Sequence, residues 1–344
     1  MTAREGKNNA RKQAIRELQQ ANPDLTYLEA GALLDTGTEG LSEYDAIANG
    51  FDVKLNFDKL DFLLPWTTPR QVRLSADLFD DKVTDYFIAE RFAMMACNYL
   101  WDGIPAHTFQ LVTTHPDRMQ SLLSSEDFRA TVASIAGSCS EDADDGDGMH
   151  DAIYYQFWPL PNVWLGATIQ DQQQADRNIP VLLETPASVR YVYVDQPRGP
   201  IDLVGRLCRD CMRDMEAPQC DKCYDRWWVR PRRSNRIDWV ITGGGTGPEA
   251  TPLHLDWVLS LRDQCVAADV PFFFTGWGEF GPSGDPAKDQ RYLVHHDGIS
   301  ATFNGAAVTK PGIGQRFAYR LGADRAGRIL DGRTWDQYPD KVIQ

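Results

Sequence analysis

The sequence predicts an α/β fold, a parallel sheet covered by helices, and three observations lead there. Short, nearly continuous apolar segments rich in Val, Ile, Phe and Tyr recur along the chain. Amphipathic segments of helical length lie between them. Gly, Pro, Asn and Asp separate the two kinds. Strands that are apolar on both faces belong to sheets buried on both sides, and helices are the usual cover.

The β segments in order are Gln71–Ser75, Thr108–Thr113, Val163–Ile169, Val189–Val194, Trp239–Thr242 and Pro271–Phe274. Helical segments are Thr84–Cys97, Pro116–Leu123, Gln172–Leu183 and Asp256–Ala268. Six strands with one repeating crossover fit an open doubly wound sheet or an incomplete barrel. No GxGxxG follows the first strand, which weakens a dinucleotide fold. Residues 1–45 read as a helical arm and linker, with Ile15 and Leu18 among charged residues and a capping-box spacing at Thr26 and Glu29. Residues 46–280 form the main α/β body, with an insertion at 205–236. Residues 281–344 read as a hairpin turning near Asp297-Gly298 and a tail with a Trp335 anchor. The acidic run Ser140–Asp151 lacks calcium-loop spacing, since Gly146 falls where a ligand is needed, and reads as a solvated loop.

The chain has 344 residues, 42% hydrophobic and 24% charged, enough for a sizeable core. Its net charge of −14 disfavours a general polyanion binder but leaves room for a local basic patch. No apolar run approaches the roughly 20 residues of a membrane span. The polar opening MTAREGKNNARKQ shows no secretory signal, so a cytoplasmic protein is expected.

Four of the seven cysteines sit together as Cys208-x2-Cys211-x8-Cys220-x2-Cys223. Two CxxC knuckles let four thiolates converge on one tetrahedral ion, so a closed, structural zinc site is expected over an iron–sulfur cluster or a redox pair. Arg226, Arg230, Arg232, Arg233 and Arg236 follow, with Trp227 and Trp228 among them. Guanidinium groups suit phosphate and indoles suit stacked bases, so the strip is a candidate contact for nucleic acid or an acidic partner protein. The blander alternative pairs those arginines with surface carboxylates. Next come Gly243, Gly244, Gly245 and Thr246, directly after an apolar strand, where backbone could approach a ligand closely. A tight turn would look the same.

In barrels and open α/β sheets the carboxyl ends of the strands hold the site. Those ends supply Asp77, His115 and Asp195 as candidate acids or bases, and Thr275 and Trp277 as further ligand contacts. No nucleophile elbow or HExxH occurs. His254, His295 and His296 read as ordinary polar histidines.

Phe51 to Pro339 resembles the phage- and prophage-encoded three-cysteine-motif proteins, a radical-SAM-like family. The segments that carry the resemblance are GFDVKLNFDKLDFLLPW, SADLFDDKV, HTFQLVTTHPDRM, LPNVWLGATIQDQ, TPASVRYVYVDQPRGPIDL, IDWVITGGGTGPEATPLHLDWVLSLRDQC, VPFFFTGWGEF and AGRILDGRTWDQYP. The resemblance implies a partial (β/α)6 radical-SAM-like barrel with a zinc-knuckle insertion before the IDWV strand. It also implies a phage or prophage origin and a host-cytoplasmic location. Family members carry an N-terminal cysteine cluster suited to iron and sulfide. The first cysteine here is Cys97. The family pattern has Lys-Arg at Thr114-His115, Glu at Gln170, Gln196 and Gly245, Arg at Thr251 and Lys-Gln at Thr275-Gly276. Kept core residues and neutralised strand ends suggest that the original reaction is gone, and no iron–sulfur cluster is expected. The expectation is a non-catalytic binding module for nucleic acid or a partner protein. The alternative is an enzyme modifying nucleic acid or a nucleotide from the strand-end pocket.

Overall fold

The computed structural model describes residues 71–74, 77–100, 106–138, 143–207, 236–297, 300–302 and 310–339. Six strands pair in parallel: β1 (Gln71–Arg73), β2 (Thr108–Thr113), β3 (Val163–Ile169), β4 (Val189–Asp195), β5 (Trp239–Gly243) and β6 (Phe272–Phe274). Their spatial order is their chain order, and the sheet curls as a half-barrel. That order selects the incomplete barrel over the doubly wound alternative, which would reverse direction part-way along the sheet. The helices between them are α1 (Asp85–Leu100), α2 (Pro116–Ser124), α3 (Glu126–Gly137), α4 (Ala143–Asp151), α5 (Gln172–Glu184), α6 (Val204–Leu207) and α7 (Leu255–Ala267). The expected helical arm lies outside the described residues, as do Cys208, Cys211, Cys220, Cys223, Arg230, Arg232 and Arg233.

Alternation along the strands sorts side chains onto two faces. Val163 and Leu165 meet Phe92, Leu123 and Trp158 around one small cavity, so their parity faces the helices. The opposite parity lines the inside of the curl. There Trp164, Val189, Tyr191, Trp239 and Ile241 form a buried cluster. Register explains the meeting: Trp164 lies opposite Val189, and Tyr191 lies between Gly166 and Trp239. A Cβ at Gly166 would sit 2.4 Å from the Tyr191 ring, so the glycine is what lets that ring lie flat across β3. The Trp239 ring meets Trp164 edge-on at 5.8 Å and Tyr191 at 5.7 Å. Such pairs contribute about 0.5–1.5 kcal/mol each beyond burial.

The acidic run differs from expectation. It is helical from Ala143 as α4 and passes into a π-helical turn, Ala152–Gln156. Two uncharged residues explain this. Met149 is buried, and its sulfur lies 3.5 Å from Cys97 Sγ on α1. Gly146 is buried against α3, with its carbonyl 2.8 Å from where a Gly137 Cβ would stand. Asp145 and Asp147 remain exposed on the other side. Charge density hid an amphipathic helix. Helix α3, which the sequence also left unmarked, starts where Ser125 Oγ accepts the Phe128 amide at 3.3 Å.

The C-terminal residues build a second, antiparallel sheet in the order β7 (Phe280–Gly281), β10 (Gln315–Arg320), β8 (Gln290–His295), β9 (Ser300–Thr302). The expected hairpin is β8–β9. A short helix, α8 (Ala323–Ala326), follows β10. The tail then returns to the half-barrel, as the Trp335 anchor requires. Phe274 N donates to Trp335 O at 2.9 Å, Phe272 N to Gln337 Oε1 at 3.0 Å, and Asp336 bridges Phe273 antiparallel. The tail thus covers the free edge of β6, which would otherwise offer unpaired backbone groups. Among the described residues no helix is long and apolar enough to cross a membrane.

His254 joins the sheets. It is fully buried and caps α7, its Nδ1 accepting the Asp256 amide at 3.2 Å. Its ring stacks on Trp257 and meets His296, just after β8, edge-on at 5.6 Å. The Trp257 indole donates to His296 O, and Arg316 on β10 pairs with Asp256 at 3.1 Å. Burial lowers the His254 pKa, while Asp256 opposes that shift and His296 and Arg316 reinforce it.

Gly166→Ala is expected to destabilise the protein by about 1–3 kcal/mol, the usual cost of overpacking, read as a lower denaturant midpoint. A histidine whose folded pKa lies below its unfolded value of 6.5 favours the unfolded chain as it takes up a proton. The stability it contributes is therefore complete above that unfolded value and declines as pH falls towards the folded one. Thermal midpoints should drop from about pH 7 to about pH 5 in the native protein. His254→Asn keeps a capping acceptor without a titrating ring, so it should flatten that decline.

Candidate functional site at the strand ends

Parallel strands bring all their carboxyl ends to one rim, so residues far apart in sequence become neighbours there. The last inward position of β4 is Asp195, opposite Gly243 of β5. Gln170 follows β3 and Gln196 follows β4. Burial raises the Asp195 pKa, with Gln170, Arg73 and Arg198 pulling it back. Arg73, from β1, reaches across the inside of the curl and places its guanidinium 4.3 Å from the Tyr193 ring centre. Gln196 adopts a left-handed φ of 46°, and its amide fills the space a side chain at Gly245 would take. Below this rim, Tyr191 Oη and Trp164 Nε1 are buried without a hydrogen-bond partner among the described residues. Burial pushes the Tyr191 phenol up.

The glycine run lies where two loops touch through their backbones. A Cβ at Gly243 would stand 1.9 Å from Thr275 Oγ1, and one at Gly244 would stand 2.0 Å from the Trp277 carbonyl. Gly244 N donates to Gly276 O at 2.9 Å, and Gly247 N to Glu279 Oε1 at 3.0 Å. Two of the amides near the run thus hold the β5 loop to the β6 loop. Thr275 directs its hydroxyl to Thr242 O at 3.3 Å. Trp277 is buried and gives its indole hydrogen to Ile329 O at 2.8 Å. Thr246 is exposed on the rim. Arg236, the one arginine of the basic strip that is described, is exposed and lies 4.0 Å from Asp238.

Asp77 and His115, separate candidates in the sequence, meet. Asp77 Oδ2 accepts from Thr114 N at 2.8 Å and Thr114 Oγ1 at 2.9 Å, and lies 3.2 Å from His115 Nδ1. Asp77 Oδ1 accepts from Phe79 N at 3.1 Å. His115 stands at the N-cap of α2, before Pro116, and its amide donates to Thr113 Oγ1 at 2.8 Å. Asp195 belongs to a different stretch of the same rim, two strands along the sheet.

The loop that carries Asp77 is stapled from below. Arg118, on α2, donates to the carbonyls of Phe79, Asp80 and Val83 and to the Asp85 carboxylate at 2.6 Å. One guanidinium therefore ties the β1–α1 loop to the helix that His115 caps. Nothing in the sequence marks Arg118 for this. Three of its four partners are backbone carbonyls, and all are more than thirty residues away. Thr114 was marked in the sequence only as a strand-end position, and its hydrogen bonds to Asp77 became visible with the fold. Among the described residues no three His, Cys, Asp or Glu side chains gather as a metal site.

Residues 26–339 match the model of a family described as a protein of unknown function, DUF5131. No curated protein and no solved structure matches the chain.

Arg118→Ala removes several donors from backbone carbonyls. Amide exchange across residues 79–85 should speed up, and global stability should fall by about 1–3 kcal/mol, measured by hydrogen exchange and denaturation.

Proposed function

The chain belongs to the DUF5131 family, and from that premise we propose that it is a radical-SAM-like half-barrel of phage or prophage origin that has left iron–sulfur chemistry and serves as a binding module. In this reading Cys208, Cys211, Cys220 and Cys223 hold a structural zinc. The knuckle presents Arg230, Arg232, Arg233 and Arg236 to nucleic acid, with an acidic partner protein as the other occupant. The strand-end rim, with Gly243, Gly244, Gly245, Thr246, Thr275 and Trp277 around it, takes a small polar ligand.

The observation that supports this reading is the pairing of a six-strand parallel half-barrel with strand ends that carry no thiol among the described residues. No cysteine precedes Cys97. Cys97 is buried in α1 and Cys265 in α7, and burial pushes the Cys265 thiol up. A cluster needs accessible thiolates, and neither residue offers one. The zinc and the nucleic-acid contact are supported by the cysteine and arginine spacing alone.

Anaerobic reconstitution with iron and sulfide should leave the protein colourless, with about one zinc per chain by metal analysis. A bound four-iron cluster would overturn the reading. Retention on single-stranded nucleic acid should weaken as salt rises, and neutralising Arg230, Arg232 and Arg233 together should abolish it. Retention unchanged in that variant would remove the strip from the interface.

A second reading, an enzyme acting on nucleic acid or a nucleotide, is favoured by one observation. Asp77 and His115, 38 residues apart, are joined at the rim where α/β folds place their chemistry.

A further inference from the structure

Asp77 and His115 share more than a position on the rim: their hydrogen bonds specify a chemical role. We propose that His115 is a proton acceptor for an O–H nucleophile, water or a substrate hydroxyl, attacking an ester, and that Asp77 is the positioning residue that holds it in the reactive tautomer. This role rests on the second reading, an enzyme acting on nucleic acid or a nucleotide.

The geometry fixes the direction of each hydrogen. A carboxylate is an acceptor on every side, so each neighbour of Asp77 must be a donor. Phe79 N and Thr114 N donate as amides. The Thr114 hydroxyl has one hydrogen, and its shorter contact is to Asp77 Oδ2 at 2.9 Å rather than to His115 Nδ1 at 3.1 Å. Nδ1 then has an acceptor on both near sides, the carboxylate and the hydroxyl oxygen, and carries the ring hydrogen. The free lone pair therefore lies on Nε2. About a third of the His115 side chain remains open to solvent, so the imidazole is reachable from the rim.

The ring is also held in place. Its own amide is fixed to Thr113 Oγ1, Pro116 limits the backbone beyond it, and Arg118 pins the loop bearing Asp77.

The step balances without a redox partner. The nucleophile's O–H proton passes to Nε2, and the oxygen's electron pair forms the new bond to the acyl or phosphoryl centre. Asp77 faces the imidazolium that results. The bond to the leaving oxygen breaks, that oxygen takes the electron pair, and Nε2 returns the proton to it.

Two measurements on the full-length chain test this. Nitrogen-15 NMR of the imidazoles should show His115 as the Nδ1–H tautomer, which Asp77→Asn should lose. An Nε2–H tautomer in the native protein overturns the assignment. With 4-nitrophenyl acetate as the probe, His115→Gln should lower protein-dependent hydrolysis at least about tenfold, and His150→Gln should leave it unchanged. Hydrolysis unaltered by His115→Gln, or lowered equally by His150→Gln, overturns the proposal. If Asp77→Asn does not fold, the native tautomer and the His115→Gln rate decide alone. Turnover of nucleic acid or a nucleotide separates the failure of this proposal from the failure of the reading beneath it. Turnover that survives His115→Gln defeats the proton acceptor only. His115-dependent hydrolysis of the probe without turnover of nucleic acid or nucleotides defeats the second reading and leaves the dyad standing.

Discussion

The Tyr191 ring lies where a side chain on Gly166 would have to be, and the rest of the half-barrel is arranged around that contact. β1 and β6 stand at opposite ends of the sheet and do not pair, so the sheet stays open and the inside of its curl is filled by side chains. Trp164, Tyr191 and Trp239 do this from three successive strands, and only a residue without a Cβ allows the middle ring to lie down. Two polar atoms of this cluster, Tyr191 Oη and Trp164 Nε1, have no hydrogen-bond partner among the described residues. Unpaired polar groups in a core are costly, so their retention sets this interior apart from a purely apolar one.

An incomplete barrel has free edges, and this chain covers one of them with its own tail. Residues 335–337 add antiparallel contacts to β6, the indole of Trp239 donates to Gln337 O at 2.9 Å, and Tyr338 packs on Trp239 and Phe273. The same tail that protects backbone hydrogen bonds therefore also extends the aromatic cluster. The second sheet is fastened through a buried histidine that caps a helix of the half-barrel, stacks on Trp257 and meets His296.

At the rim the chemistry depends on which loops are tied to which. The β5 and β6 loops approach closely at glycines and are held by Gly244 N to Gly276 O and by the Thr275 hydroxyl and Glu279 carboxylate. The β1 and β2 ends are joined instead by a carboxylate, a hydroxyl and an imidazole, with a guanidinium beneath them. An imidazole beside a carboxylate occurs in the second region and not in the first, which is why the proposal of proton transfer rests on Asp77 and His115.

The six parallel strands were legible in the sequence to within a residue or two, because β-branched and aromatic runs between turn residues have few other uses, whereas β7 and β10 of the second sheet were not marked. The antiparallel pairing of β8 with β9 and the anchor at Trp335 were legible for similar local reasons. Helix α4 was not, since its buried side is a glycine and a methionine set among carboxylates. Asp77, His115 and Asp195 could be named as strand-end residues, yet only the parallel order of the sheet decided that the first two meet and that the third lies two strands away. Local composition determines which segments become strands, because it acts over a few residues. Which side chains share a hydrogen bond is decided by register and loop closure, and those link positions tens of residues apart that carry no mark of one another.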